Sequence, residues 1–370
     1  MQVSVNDPLQ QTILFAVALG IIFALTFSRK KEYTALSLTQ ELKGFAILVV
    51  IFAHIGYSLS SNPQFLFPFS ILAGVGVNLF LFLSGYGLTF SQIKREGTVM
   101  QFYTKRLLKL FIPFWIVLPL FFVLSFFLLG ETYSSEYVIK ALFGIFTQAD
   151  MHADINSPLW YFSLIFFYYI LFPLLFSKRN IWITATFLYL AVWCVVEINP
   201  QFLSGVVGLY EVHMLAFPLG VFVAGYLHTS KALLRAGKTI YARHERFLYP
   251  MILIVLSTLT GYLAINANVG KLAYIEELTS LCIMFIIILL FILKKGESKL
   301  LSLFGFFSYE IYLFHWPLMY HYDLLYTHLP ASLATLLYLG IFVALASVLK
   351  KLSDFVLKIN FPLTSTVSKY

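Results

Sequence analysis

The sequence predicts an all-α fold, a polytopic bundle of about eleven transmembrane helices. Of its 370 residues, 60% are hydrophobic and only 11% are charged, and the mean hydropathy is +0.86. Such a composition is typical of integral membrane proteins. A helix needs about 20 apolar residues to cross a bilayer. The apolar stretches of suitable length are 11–28, 44–60, 69–91, 107–129, 158–177, 181–197, 213–229, 247–266, 272–293, 301–322 and 332–349.

The basic residues predict the orientation of these helices. If the turn at residues 29–31 lies in the cytoplasm, 23 of the 25 lysines and arginines lie on that side, and only Lys140 and Lys271 lie outside. Cytoplasmic loops of membrane proteins carry such an excess of basic residues. We therefore expect the N-terminus outside and the C-terminus in the cytoplasm, in a multi-pass protein of the cell (inner or plasma) membrane.

Two kinds of connection are long enough to do more than join two helices. The outer connection, residues 130–157, carries four acidic residues. The inner connections 92–106 and 230–246 are basic. Basic amphipathic helices lie along lipid headgroups, which is what we expect of these inner connections.

Several classes of function lack their sequence signals. The chain has no Walker-type phosphate loop, no HExxH zinc helix and no pair of aspartates with DxD spacing. The net charge of +8 is explained by the topology, and no basic segment alternates with aromatic residues in a polar domain, so no nucleic-acid partner is expected. The lipid bilayer is the expected partner, and we expect no metal and no bound cofactor.

One titratable ring stands in the middle of the second apolar stretch. Lys43 begins it at the expected cytoplasmic boundary, and His54 follows eleven residues later, about 16 Å deeper in a helix. Eleven residues are almost three turns, so both side chains share one face. An ionisable group at this depth is costly unless it faces a cavity. His54 could act as a general base, and Lys43 could hold a phosphate or a carbonyl oxygen. Helix packing and an interfacial lysine are the simpler alternatives.

The stretch that contains Lys43 and His54, KGFAILVVIFAH, resembles the first motif of the acyltransferase-3 family of integral membrane acyltransferases. Further motifs of that family follow in the same order. They are GVNLFLFLSGYGLTF (76–90), FYTKRLLKLFIPFW (102–115), PLWYFSLIFFYYILFPLL (158–175) and SYEIYLFHWPLM (308–319). The resemblance divides a single membrane domain, 1–370, into an additional N-terminal span and turn (1–40), an acyltransferase-like core (41–330) and a last span with a cytoplasmic tail (331–370).

The resemblance implies an acyl-CoA-dependent O-acyltransferase. Such an enzyme moves an acyl group, most often acetyl, from cytoplasmic acetyl-CoA across the membrane to a hydroxyl of an extracytoplasmic glycan or lipid-linked sugar. His54 matches the family's catalytic histidine, either as base or as covalent relay of the acyl group, and Lys43 matches the basic residue of that motif. Arg106, with Lys105 and Lys109, would bind the donor phosphates. The alternative for these three is the ordinary basic signal of a cytoplasmic loop.

Two features depart from the family pattern. Asn78 stands where many relatives carry an aspartate that could orient the histidine, so an amide hydrogen bond is expected to serve instead. Ile165 and Phe166 stand where many relatives carry two glutamates. Whether a surface-side partner protein completes the reaction is left open.

Four further residues in the later motifs are pocket candidates. Ser84 and Tyr86 belong to SGYG, where small residues either line an acyl tunnel or form a close helix contact. His315 precedes Pro317 and faces either an interior cavity or the outer interface. Glu310 is an intramembrane carboxylate that needs a partner, such as a cation near the cytoplasm.

The outer side offers candidates for contact with the acceptor. Asn156 and Trp160 stand at the entry of a span, and an indole offers a flat apolar face and one donor. Glu211 and His213 are a less specific pair at the start of another span. The DMHAD stretch (150–154) has metal-ligand spacing, but a solvated or acceptor-contacting loop is the preferred interpretation.

A second hypothesis belongs to a different class. The protein would be a glycan or lipid transporter in which His54 relays protons and no acyl chemistry occurs. Dependence on acetyl-CoA separates the two hypotheses. Acyl transfer from a bulkier donor such as succinyl-CoA would differ only in the shape of the cavity.

Overall fold

The computed structural model describes residues 3–28, 35–94, 97–151, 153–229, 251–266, 273–294 and 296–360. Its helices are α1 (Pro8–Thr26), α2 (Ala35–Ala53), α3 (Ala73–Lys94), α4 (Val99–Leu124), α5 (Ser135–Leu142), α6 (Trp160–Leu175), α7 (Ile181–Ile198), α8 (Val207–Glu211), α9 (Ala216–Thr229), α10 (Met251–Ile265), α11 (Ala273–Leu293), α12 (Lys299–Phe306), α13 (Ser308–Tyr320) and α14 (Ala331–Asn360). Strands β1 (Phe27–Ser28) and β2 (Glu297–Ser298) form one short antiparallel pair. The all-α, polytopic fold class is confirmed.

Most predicted apolar stretches correspond to one helix each. Within the described residues, nine helical segments are long and apolar enough to cross a membrane. Helix α10 covers the described part of the predicted stretch 247–266 and is shorter. The predicted stretch 301–322 is two helices, α12 and α13, with a break at Phe307. The predicted basic connection 230–246 and the first basic turn, 29–31, lie outside the described residues.

Some helices extend beyond their apolar part. Helix α2 begins at Ala35, so Lys43 lies more than two turns inside it rather than at its end. Helix α3 ends at Lys94 and helix α4 begins at Val99, so most of the predicted connection 92–106 belongs to these two helices. Thr98 explains this start, because its hydroxyl accepts a hydrogen bond from the backbone of Gln101, whose side chain accepts one from the backbone of Thr98. This capping box satisfies two backbone donors and starts a helix among polar residues.

Two glycine contacts bring helices of the bundle into close contact. Gly44 of α2 faces Gly305 of α12, and a Cβ on either would collide with the backbone of the other helix. Gly85 of α3 and Gly220 of α9 form an equivalent crossing. Small residues let membrane helices approach until their backbones touch. Of the two interpretations of the SGYG motif, a close helix contact is therefore the one that describes Gly85.

The buried residues form two large apolar clusters. One is centred on α4, α13 and α14 with parts of α2 and α6, and the other on α3, α9 and α11 with the remaining parts of α2 and α6. Residues from both clusters, such as Phe162 and Ile165, line a cavity inside the bundle. The candidate site therefore lies where the two packed units meet.

Candidate active site

A cavity of about 450 Å³ lies inside the helix bundle. A volume of this size is typical of small-molecule sites. Side chains from α2, α3, α4, α6, α8, α11 and α13 line it. Its polar and charged lining residues are Lys43, His54, Ser84, Arg106, Lys109, Trp160, Tyr161, Tyr169, His213, Glu276, Ser308, Tyr309 and Tyr312. Lys43 and His54 both line this cavity, so the shared helix face predicted from their spacing is confirmed.

Three cations line one end of the cavity: Lys43 from α2, and Arg106 and Lys109 from α4. Within the described residues, none of the three has a carboxylate within salt-bridge distance. Arg106 lies close enough to both lysines for their charges to repel. Cations that are held together without acidic partners attract an anion. We call Lys43, Arg106 and Lys109 the cation triad.

His54 is held by a second histidine that is 261 residues away in sequence. Nδ1 of His54 lies 2.9 Å from Nε2 of His315, and Nδ1 of His315 lies 2.9 Å from the carbonyl oxygen of Tyr312. A carbonyl only accepts, so a neutral His315 donates from Nδ1 and accepts at Nε2. His54 must then donate from Nδ1. Its Nε2 carries the lone pair and has no partner within the described residues.

The helix changes geometry where His54 stands. Helix α2 is regular up to Ala53, and residues His54–Leu59 form a π-helical segment. Such segments are rare and occur often at functional sites. The His54 ring packs edge-on against Trp316, with 5.0 Å between ring centroids, and parallel to His315. The imidazole is therefore fixed by neighbours on more than one side.

A second histidine of the cavity is held in a similar way. Nδ1 of His213 lies 2.7 Å from Oδ1 of Asn78, and Nδ2 of Asn78 donates to Oγ of Ser280 at 2.7 Å. The Ser280 hydroxyl donates to the carbonyl of Glu277 at 3.0 Å. The His213 ring is only 5% exposed and stacks on Trp160, with 5.5 Å between centroids. Asn78 thus orients His213 and not His54, which corrects the expectation from the sequence.

Pro317 explains why Asn156 is not part of the cavity lining. Proline has no backbone N–H, so Pro317 leaves the carbonyl of Leu313, four residues earlier in α13, without its helical donor. Nδ2 of Asn156 donates to this carbonyl at 3.1 Å. Asn156 is 3% exposed and lies beside a smaller, separate pocket. Asn156, which was expected to contact the acceptor, instead satisfies a backbone carbonyl of α13.

Three other predicted residues also lie away from the cavity. Glu310 of α13 faces Lys350 of α14, with 3.5 Å between Oε1 and Nζ, so it has the expected cation partner but is not a lining residue. Tyr86 stacks between Phe82 and Phe90 along one side of α3. Lys105 is exposed and is not a lining residue of the cavity, whereas Arg106 and Lys109 of the same helix are.

The remaining predicted residues take different positions around the cavity. Ser84 and Trp160 line it directly. His315 is completely buried behind His54 and reaches the cavity only through that ring. The structure therefore brings together His54, Lys43, Arg106, Lys109, Ser84 and Trp160. Their chemical roles stay predictions.

The connection before α6 is folded onto the bundle. Asp154 is 2% exposed, and its Oδ2 accepts a hydrogen bond from the backbone N–H of Asp150 at 2.7 Å. Burial raises the pKa of Asp154, while the hydrogen bonds from Asp150 and Gln148 oppose the shift. Within the described residues no group of three or more histidine, cysteine, aspartate or glutamate side chains could hold a metal ion. His152 of the DMHAD stretch lies outside the described residues.

Sequence reasoning gave His213 little weight and did not consider Glu276, Tyr309 or Tyr312. All four line the cavity. The available signal was the position of His213 and Glu276 at the start of apolar stretches, where a charged or polar group needs a reason. The tyrosines carry no such signal, because aromatic residues are abundant throughout this chain.

Comparisons with known proteins identify the family of the chain. A family model described as an acyltransferase domain matches residues 42–351. The O-acetyl transferase of Shigella phage Sf6 is 31% identical over 144 residues, which are 34% of this chain and 41% of that protein. The chain thus spans about two fifths of the length of the curated relative it matches. No solved structure matches. Because the family model covers most of the chain, including both cavity histidines, this multi-pass membrane protein belongs to the acyltransferase-3 family.

Proposed function

We propose that this protein is an O-acyltransferase of the cell membrane. It takes an acyl group, most simply acetyl, from cytoplasmic acyl-CoA and transfers it across the membrane to a hydroxyl of an extracytoplasmic glycan or lipid-linked sugar. One observation carries the proposal. A single cavity is lined by the cation triad, by His54, and by Trp160 and His213. Among the described residues the triad has no carboxylate within salt-bridge distance and Nε2 of His54 has no hydrogen-bond partner.

The cation triad supports an anionic donor at one end of this cavity. The phosphates of CoA are multiply charged, and guanidinium and ammonium groups bind phosphate by charge-assisted hydrogen bonds. Lys105 and Lys350 lie near Lys109 of the triad. The positive-inside rule makes that end cytoplasmic, where acyl-CoA is available.

His54 supplies the base for the transfer. Its Nε2 accepts the proton of the acceptor hydroxyl while the hydroxyl oxygen attacks the thioester carbonyl carbon. The new C–O bond forms, the C–S bond breaks, and the proton returns from Nε2 to the sulfur of the departing CoA. A cation of the triad near the carbonyl would stabilise the negative charge that develops on its oxygen. Proton transfer of this kind contributes about 10²–10⁴-fold to a rate.

His315 fits this role as a positioning residue. By accepting from Nδ1–H of His54 it keeps the lone pair of Nε2 toward the cavity. When Nε2 gains a proton, the ring becomes cationic, and the acceptor at Nδ1 stabilises that charge. The arrangement follows the logic of a base whose second nitrogen is fixed by another group.

Release of CoA tests the proposal directly. The wild type, Arg106→Gln and Lys43→Gln are each purified, placed in lipid vesicles and given acetyl-CoA. We expect the KM for acetyl-CoA to rise at least about 10-fold in each variant, because one charge-assisted hydrogen bond contributes about 1.5–3 kcal/mol. Lys94→Gln is the matched control, because Lys94 packs over the Phe90 ring and does not line the cavity.

The same experiment separates the enzyme from the transporter hypothesis. An acyltransferase releases CoA and loses this activity in His54→Ala. If the wild type neither binds nor cleaves acetyl-CoA or longer acyl donors, the proposed function is wrong. A proton-coupled transport role of His54 would then be measured with a pH-sensitive dye inside the vesicles.

A further inference from the structure

We propose that Nε2 of His213 is the hydrogen-bond acceptor for a hydroxyl of the acceptor molecule, and that this acceptor is an uncharged sugar. The inference rests on the proposed function, because it assigns the binding site for the second substrate. It concerns the half of the cavity around His213, Trp160, Gly74 and Glu276, which we call the acceptor half.

The hydrogen-bond chain behind His213 fixes its protonation. The single Ser280 hydroxyl proton goes to the Glu277 carbonyl, so the Ser280 oxygen accepts from Nδ2 of Asn78. The Asn78 side chain therefore turns its oxygen to His213, and only an N–H can face an oxygen. His213 must be protonated at Nδ1, and its Nε2 carries a lone pair.

That lone pair is available in the cavity. Within the described residues Nε2 of His213 has no hydrogen-bond partner, and it is not sealed among the unpaired buried atoms. Cε1, the carbon between the two ring nitrogens of His213, lies near Gly74, where an added Cβ would be 3.7 Å from it. Both residues line the cavity. An acceptor that is accessible from the cavity and has no protein partner can accept a hydrogen bond from a ligand hydroxyl.

The ring of His213 cannot turn away from this position. Asn78 holds Nδ1, and the Trp160 indole stacks on the face of the imidazole at an interplanar angle of 15°. Such preorganised acceptors lose little entropy when they bind. The geometry suits selection of one hydroxyl among several on a sugar ring, because a site built for a hydroxyl discriminates strongly against groups that cannot donate.

The charges of the cavity point to an uncharged acceptor. All the cations among the described lining residues belong to the triad, while the acceptor half contains the carboxylate of Glu276. An anionic sugar would find no cation among the described residues of the acceptor half and would be attracted to the donor end instead. A neutral sugar needs no such cation and can donate a hydroxyl to Nε2 of His213.

Two soluble probes test the inference: phenyl glucoside as the neutral sugar and phenyl glucuronide as the anionic one. The vesicle-reconstituted enzyme is given acetyl-CoA with each probe, and acetylated product and free CoA are measured. We expect transfer to the glucoside in preference to the glucuronide. His213→Phe should raise the KM for the glucoside at least about 10-fold, the effect of one lost hydrogen bond.

Two further variants keep the test informative if His213→Phe does not accumulate. In His213→Gln the side-chain amide oxygen can reach the position of Nε2, so we expect a smaller rise in KM. Asn78→Leu leaves His213 in place but removes the amide oxygen that fixes the proton on Nδ1. The KM for the glucoside should therefore rise in this variant as well. The control is His328→Phe, because the His328 side chain is exposed and lies outside the cavity lining.

Each outcome has a definite meaning. A wild-type KM for the glucoside in His213→Phe would overturn the assignment of His213. Preference for the glucuronide, or CoA release with no acetylation of either probe, would overturn the uncharged-sugar class. Absence of CoA release from the wild-type enzyme contradicts the proposed function itself, and is thereby distinguished from a failure of this inference.

Discussion

The two histidines of the cavity differ in what stands behind them. His54 donates from Nδ1 to another imidazole, His315, whereas His213 donates from Nδ1 to the amide oxygen of Asn78. Both keep Nε2 toward the cavity. An imidazole partner can itself take up a proton, so the His54 pair can share a positive charge, while an amide cannot accept a proton at neutral pH. The comparison indicates that His54 is suited to proton transfer and His213 to binding.

The largest expected effect contrasts the two rings directly. His54→Ala should lower kcat for acyl transfer by at least about 100-fold, the lower range for general-base catalysis. His213→Ala should act mainly on the KM for the acceptor. Initial rates measured over a range of both substrates separate the two effects. If both variants lower kcat equally, the proposed division between base and binding residue is wrong.

The second prediction removes the partner of the base. His315→Phe leaves Nδ1–H of His54 without an acceptor, and we expect kcat to fall about 10- to 100-fold, by analogy with the loss of partners that orient histidine ligands. His315→Gln can still accept through its amide oxygen and should recover part of the rate. The pH profile of kcat should also shift in both variants, which a purely structural role of His315 would not cause.

The third prediction concerns a variant in which His213, like His54, has a partner that can stabilise a positive charge on its ring. In Asn78→Asp a carboxylate replaces the amide beside Nδ1 of His213, and this negative charge stabilises the imidazolium. Protonated Nε2 then donates rather than accepts. We expect the KM for a neutral hydroxyl acceptor to rise about threefold to 10-fold at neutral pH, which corresponds to about 0.7–1.4 kcal/mol. An unchanged KM between pH 6 and 8.5 would contradict this account.

The smallest expected effect concerns the connection that leads into the acceptor half. Burial raises the pKa of Asp154 above its ordinary value, so the folded protein binds this proton more tightly than the unfolded chain. The stabilisation is present below the ordinary carboxyl pKa of about 4 and is lost as pH rises through the higher folded pKa. Between pH 4.5 and pH 7 the Tm of the wild type should therefore fall by about 1–2 °C more than the Tm of Asp154→Asn. Equal pH dependence of the two proteins would refute it.

The predictions from sequence were most accurate where the signal was local. Apolar length predicted the helices, and the spacing of Lys43 and His54 predicted their shared face. The start of α4 was missed, although Thr98 and Gln101 carry the capping-box spacing that could have located it. Glu310 and Tyr86 were assigned to the pocket because they lie in family motifs, yet each faces another neighbour in the bundle.

The sequence by itself determined the membrane class, the order of the helices, the expected orientation and His54 as the candidate base. Hydropathy and helical spacing decide these properties, and both are read from residues a few positions apart. Only the tertiary structure decided that His315 stands behind His54, that Asn78 serves His213, and that Asn156 satisfies the carbonyl freed by Pro317. These partners are 135 to 261 residues apart in sequence, so only the packing of the helices brings them within hydrogen-bond distance.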